Sequence, residues 1–285
     1  LLKKQGRRAD ADAYFQQAVS MTNGMSDLRC QEFYRDWIVN LIRPDTLNRT
    51  GFDRRMAALQ QLLKQQSADR YAHPDRLRGY WYYRSGQYRK AVDIYRTFVA
   101  GADSLTNPFL LEEASYVLAS AYLQLAATEK APQLVDSALH YVRYSFQFGT
   151  PNVEQMPALE ALCSPEVYRH VDNPSVWLDF LGKGLAARYR YQGHTDDLWS
   201  ALEVFALTDS LLLPGVRAMN EGALLTFQFD VGDDTYAEAL EVSWQCHRAD
   251  PGAARPLDLA FRFCERMKSY ILFRDLGARE RDSIG

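Results

Sequence analysis

The segment from Gly79 to Phe98 constrains the fold of this chain more than any other. It reads GYWYYRSGQYRKAVDIYRTF. Small Gly79 is followed three positions later by Tyr82, then by Gly86, Tyr88, small Ala91 and Tyr95. Small residues let two helices cross closely, and large ones fill the gaps around the crossing. A glycine between them suits the end of the first helix, because it takes a left-handed backbone at little cost. The segment therefore predicts a helix–turn–helix. One such pair leaves apolar surface uncovered and has to stack on others to bury it.

This order of small and large residues resembles the tetratricopeptide repeat, a unit of about 34 residues. It departs from the pattern at Arg78, where a large apolar residue is usual, and at Phe98, where a small one is. The resemblance implies an all-α fold, a right-handed superhelical array of helix–turn–helix repeats (an α-solenoid). Such arrays hold a partner on a curved surface.

Other stretches fit the same scheme. Gly6, Ala11, Phe15 and Ala18 match a turn and second helix, so the array is expected to begin mid-repeat. A weaker pair is expected over 26–42 and 52–67, with Pro44 and Gly51 as terminators. In a further pair, Leu118, Ala119 and Tyr122 fit the first helix and Ala138, Val142 and Ser145 the second. The linker between Leu125 and Leu134 reads as longer than the usual turn, with Pro132 suited to a first helical turn. Phe148-Gly149-Thr150-Pro151 should end that pair. Residues 151–174 hold Pro151, Pro157, Pro165 and Pro174 and predict an irregular linker with one or two short helical turns. A fifth pair is expected over 175–191 and 196–213, stopped by Pro214-Gly215, and a sixth over 216–229 and 233–249. A last helix should run from about Pro256 to Leu276. The array thus spans 1–276, and 277–285 reads as a charged, disordered tail.

The last helix is apolar around much of its circumference. Leu257, Ala260, Phe261, Cys264, Met267, Ile271 and Leu272 share one face, and Leu259, Phe263 and Tyr270 widen it. That is broader than the stripe of about 100° which suffices for a surface helix. Two neighbours are expected. Phe263, Tyr270 and Phe273 are the candidates for docking a downstream domain of the same chain, or for self-association through this helix.

Several segments resemble the repeat region of bacterial CHAT-domain proteins, in which tetratricopeptide repeats precede a caspase-like domain. They are Ala260-Phe261 with Glu265-Arg266-Met267-Lys268 and Leu272, then Asp209-Ser210-Leu211-Leu212, then Phe148-Gly149-Thr150-Pro151-Asn152. The resemblance implies a non-catalytic, cytoplasmic sensing arm. The His–Cys dyad of that family matches no histidine and cysteine here, so no catalytic role carries over. Two other readings remain open: the sensor region of a bacterial signalling kinase or transcription regulator, and an α-helical toroid hydrolase.

A toroid hydrolase would need clustered acids or histidines, and the sequence offers no such set. Cys30, Cys163, Cys246 and Cys264 form no C-x-x-C, and His73, His140, His170 and His194 show no ligand spacing. Cys246 and His247 are adjacent, and adjacent side chains on a helix do not face each other. Gly182-Lys183-Gly184 lacks the rest of a phosphate loop and reads as close helix packing. Asp230-Val231-Gly232-Asp233-Asp234 lacks the order and closing glutamate of a calcium loop. No enzyme activity, metal or cofactor is expected. With 33 basic and 36 acidic residues, net charge −3, there is no basic stripe for nucleic acid. No apolar run nears the roughly 18 residues of a membrane span.

The run Tyr80-Trp81-Tyr82-Tyr83 is the best candidate for contact with a partner. In a repeat of this type Tyr80, Tyr83 and Arg84 would line a concave groove, with Tyr116 one repeat later and Arg188 and Tyr191 further on. Tyrosine and arginine are enriched where proteins bind proteins or peptides. The competing reading is a packing cluster between repeats.

Overall fold

The computed structural model describes residues 53, 74–101, 108–150, 153–168, 171, 174–218 and 233–268. Every regular element among them is helical. The half-repeat and the pair expected before residue 74 lie outside the described residues, as do most of the helix expected over 216–229 and the tail 277–285. The chain divides into two compact units, 1–121 with 281–285 and 122–280.

Unit one holds α1 (Pro74–Arg84), α2 (Tyr88–Gly101) and the first part of α3 (Pro108–Glu129). Asp75 in the first turn of α1 and Arg84 in its last both suit the helix dipole. Gly86, at φ +72°, ends the helix as its left-handed residue, and the Gly86 and Gln87 amides donate to the Tyr83 and Tyr82 carbonyls at 3.1 and 2.9 Å. Ala91, Val92, Tyr95 and Val99 form the buried stripe of α2. The hairpin closes where Tyr95 lies over Gly79: a Cβ on Gly79 would stand 2.8 Å from the ring. The Tyr95 hydroxyl donates to the Arg76 carbonyl at 2.9 Å. The expected order of small and large residues is thus what joins the two helices.

α3 lies beside α1 and runs the same way. Arg76 pairs with Glu113, and the hydroxyls of Tyr83 and Ser120 share a hydrogen bond of 2.7 Å; both contacts span 37 residues. Two contacts with one offset, two helical turns apart, require parallel helices.

Unit two begins at Tyr122. α3 continues to Glu129, so the linker is only 130–132, shorter than the sequence suggested. Lys130 makes the sharp turn with a left-handed φ of 52°. α4 (Gln133–Gly149) buries Val135, Ala138, Leu139, Val142, Ser145 and Phe146. The proline-rich stretch forms α5 (Leu159–Leu162) and a 3₁₀ turn, Pro165–Tyr168, as expected. α6 (Ser175–Gln192) packs antiparallel on α4: Trp177 donates to Ser145 Oγ at 3.0 Å, and Gln192 to Asp136 at 3.3 Å.

α7 (Thr195–Ala218) turns back along α6 after Gly193, at φ +75°. It continues through Pro214, where the sequence predicted a stop. A proline removes one intrahelical hydrogen bond and bends a helix, but need not end it. α8 (Asp233–Ala249) has the expected bounds, and α9 is described over 255–268. α8 follows the direction of α6, through Thr235–Asp179 and Glu238–Arg190. α9 follows α7, through Arg255–Glu203 and Arg262–Asp209. The hairpin α8–α9 therefore stacks on α6–α7 with like helices side by side.

Candidate functional site

Unit one carries the expected aromatic cluster on the edge shared by α1 and α3. Tyr80, Tyr83, Arg84 and Tyr116 are all half-buried, so each keeps a face toward solvent. Tyr80 and Tyr83 stack at 6.3 Å between ring centres, and Tyr83 meets Tyr88 at 5.9 Å. The Arg84 guanidinium lies 6.0 Å from the centre of the Tyr80 ring and donates to the Tyr80 hydroxyl at 3.4 Å. It pairs with no carboxylate among the described residues. A cation held on an aromatic face keeps donors for an incoming group.

Across from this stripe, α3 presents Glu112, Glu113, Tyr116 and Ser120. Burial, then the charge of Glu113, drives the Tyr116 hydroxyl far above its usual range, with Tyr80 and Glu112 adding to the effect. Burial also raises Tyr83, partly offset by its bond to Ser120. Glu112 is pushed up to about 7, by burial first and Glu113 second. Both tyrosines stay neutral hydroxyls at any ordinary pH, able to donate and accept. Trp81 faces the core, buried, and is not part of this face.

The remaining candidates belong to unit two. Arg188 is not open for a partner: its Nε and Nη2 donate to buried Asp197 at 2.6 and 2.5 Å, fastening α6 to α7. Tyr191 is exposed and donates to the Ala126 carbonyl at 3.3 Å.

Phe263 is a correction to the expected docking face. It is fully buried, with its ring 6.1 Å from that of Tyr236. α9 turns Pro256, Leu259 and Phe263 inward and leaves Leu257 47% and Phe261 71% exposed. The reason is electrostatic as well as apolar. Arg262 Nε and Arg266 Nε lie 3.0 and 3.3 Å from Asp209, which is 2% exposed and also accepts from the Tyr236 hydroxyl at 2.9 Å. These bonds fix the rotation of α9. They also join the Asp209 and Arg266 segments that the sequence had singled out separately. Tyr270 and Phe273 lie outside the described residues.

Burial pushes the Cys163 and Cys246 thiols up to about 11, aided by Glu160 and Glu203 respectively, away from the thiolate that attacks or ligates. Cys163, Cys246 and Cys264 are free, and Cys246 is buried beside half-buried His247. Among the described residues no group of three or more His, Cys, Asp or Glu could hold a metal ion. Gly182 and Gly184 are packing glycines, against Phe205 and Leu139. No helix among the described residues is long and apolar enough to cross a membrane.

Sequence reasoning missed the α3 side of the site, Ser120 and Glu112. Their signal was the 37-residue offset, which carries Tyr83 onto Ser120. It also missed a ladder on α4, where His140 stacks on Tyr144 at 6.2 Å and Tyr144 meets Phe148 at a tilt, 4.8 Å between centres. Beside that ladder Arg143 and Gln147 hold the carbonyls of Pro157 and Glu154. Compared with known proteins, the chain matches no family model, no curated protein and no solved structure.

Proposed function

We propose that this chain is a non-catalytic protein-interaction scaffold, a superhelical array of tetratricopeptide-like helix pairs whose unit-one face receives a peptide or protein partner. The observation that carries the reading is the half-buried Tyr80–Tyr83–Arg84 cluster set against Tyr116 and Ser120 on a parallel helix. Half-buried tyrosines and an arginine without a carboxylate are what an anchor site needs: contact area, hydroxyls and a charge held at low entropy cost. The parallel stacking of α1 with α3, and of α6–α7 with α8–α9, supports the array. The sequence resemblance to CHAT-domain proteins extends the reading to a cytoplasmic sensing arm coupled to a downstream protease domain.

Selection of a displayed random-peptide library on the immobilised chain tests the site. Selected peptides should lose binding to a Tyr80→Ala, Arg84→Ala variant that keeps the wild-type melting curve. Peptides that bind both proteins alike would move the interaction elsewhere.

A further inference from the structure

Among the described residues, Arg84 is the one arginine of α1 that meets no anion. Arg76 pairs with Glu113, and Arg78 with Asp75 at 3.0 Å. Arg84 has only the Tyr80 side chain, with its guanidinium carbon 6.0 Å from the ring centre and Nη1 3.4 Å from the hydroxyl. Nor is Arg84 needed as a cap. An arginine in a last turn can bond the terminal carbonyls. Here the carbonyls of Trp81, Tyr82 and Tyr83 already accept from the amides of Ser85, Gln87 and Gly86, at 3.0, 2.9 and 3.1 Å. A guanidinium carries several donors in a fixed fork, and this one engages a single long bond. Arg84 is half-buried, so its charge is partly withdrawn from water with no carboxylate to offset it. Beside it Tyr80 stacks on Tyr83 at 6.3 Å, and Tyr83 meets Tyr88 at 5.9 Å. A cation and three half-buried rings thus form one continuous surface from the end of α1 to the start of α2.

We infer that this surface takes a peptide through a single acidic side chain, aspartate or glutamate, seated on Arg84, with its apolar neighbours on the rings of Tyr83 and Tyr88. The inference rests on the scaffold reading and names the residue that the partner must present. Charge complementarity sets the occupant. A carboxylate brings one charge and two oxygens, which one guanidinium matches in a forked pair. A lysine or arginine placed there would meet a like charge. A phosphate carries nearly two charges, and Arg76 is already spent on Glu113, so a second cation is lacking. The Tyr80 ring holds the guanidinium before the partner arrives, which lowers the cost of ordering it. The rings of Tyr83 and Tyr88 carry no charge and give the residues beside the acid a flat apolar surface.

Sequencing the peptides that a displayed random library yields on the full chain, wild type and Arg84→Glu, tests this. Aspartate and glutamate should be enriched at one position on wild type, and lysine and arginine on Arg84→Glu. One peptide selected on wild type is then labelled with fluorescein and measured by anisotropy, with its acid kept, changed to glutamine or changed to phosphoserine. The glutamine form should bind wild type about tenfold more weakly, and the acid and glutamine forms should bind Arg84→Gln alike. The phosphoserine form should bind wild type no tighter than the acid form. Melting curves recorded beside these should match wild type, since Arg84 holds no other element in place. Equal binding of the acid and glutamine forms to wild type overturns the inference without recourse to any variant. Acid enrichment that persists on Arg84→Glu overturns it, as does an acid-to-glutamine loss that Arg84→Gln leaves in place. Tighter binding of the phosphoserine form overturns it in favour of a phosphate. If selected peptides prefer no charge yet lose binding to the Tyr80→Ala, Arg84→Ala variant, the acid is wrong and the scaffold reading survives. If the library yields no peptide at all, both fail.

Discussion

Gly182 sits against Phe205 so closely that a methyl in place of its hydrogen would stand 2.8 Å from the ring. Phe205 is itself fully buried, so the ring has nowhere to withdraw. Gly182→Ala should therefore cost stability, about 1–3 kcal/mol of overpacking against a helix-propensity gain of about 1 kcal/mol. Gly101 is the control: nothing lies within 4 Å of its Cβ position, and Gly101→Ala should be neutral or stabilising. Urea unfolding of the two variants beside wild type decides it, and equal midpoints would undo the packing account of α6.

Ala91 occupies the same kind of position in unit one. It is wholly buried in the α1–α2 hairpin. Ala91→Leu adds three carbons to a filled crossing and should lower stability by about 1–3 kcal/mol. Ala138, equally buried on α4, should behave alike. An unchanged melting curve for either variant would show that its crossing is loose.

The hairpin was legible because both of its constraints are local. Gly86 sets the turn, and Gly79, Ala91 and Tyr95 are within one pair. What lies between pairs was less legible. The α3 half of the candidate site depends on an offset of 37 residues, and a reader assuming the usual period lands on the wrong neighbours. Pro214 was read as a stop, though a helix can bend through a proline. On α9 apolar residues occupy opposite faces, so periodicity could not say which face turns inward. Asp209, far off in sequence, supplies that choice by drawing Arg262 and Arg266 toward α7.

Glu112 predicts a pH dependence. Burial and Glu113 hold it at about 7 in the folded chain, above its unfolded value. Glu113 and Tyr116 share its helix, and Arg76, Tyr80 and Tyr95 border those two. A raised folded value means the native state binds the proton more tightly. The stabilisation is complete below the usual carboxylate value and is lost as pH rises through about 7. Stability should fall between pH 5 and 8 by on the order of 1 kcal/mol, the effect being reduced by solvent at a half-buried group. Glu112→Gln should flatten that slope in urea titrations across the range. A slope that persists unchanged would assign it to another group.

Asp209 should be the least replaceable side chain in unit two. It accepts from Tyr236 and pairs with Arg262 and Arg266, so α7, α8 and α9 meet on one buried carboxylate. Asp209→Ala leaves the buried Tyr236 hydroxyl without its acceptor and two arginines without their anion. The cost should be about 3 kcal/mol, at the low end for a buried pair because both arginines can turn toward water. Arg266→Ala should cost about 1 kcal/mol or less, since Arg262 keeps its bond. Hydrogen exchange in Asp209→Ala should accelerate first in α8 and α9. Uniform acceleration across the chain would show that Asp209 does not hold that hairpin in particular.

The two phenylalanines of α9 give the sharpest contrast. Phe263 is fully buried against Tyr236, whereas Phe261, two residues earlier, is 71% exposed. Phe263→Ala should cost about 3–5 kcal/mol through lost burial and the cavity left behind. Phe261→Ala should cost less than about 0.5 kcal/mol, as exposed substitutions do. Phe261 and Leu257 stand one helical turn apart and form an outward apolar strip. In a purified sample a second copy of the chain can cover it. Sedimentation of wild type should therefore show concentration-dependent association, and Leu257→Glu with Phe261→Glu should abolish it while leaving the melting curve in place. Phe263→Glu should instead unfold the α8–α9 hairpin. If wild type stays monomeric at all concentrations, the strip does not drive self-association. If Phe261→Glu unfolds the chain as Phe263→Glu does, the rotation assigned to α9 is wrong.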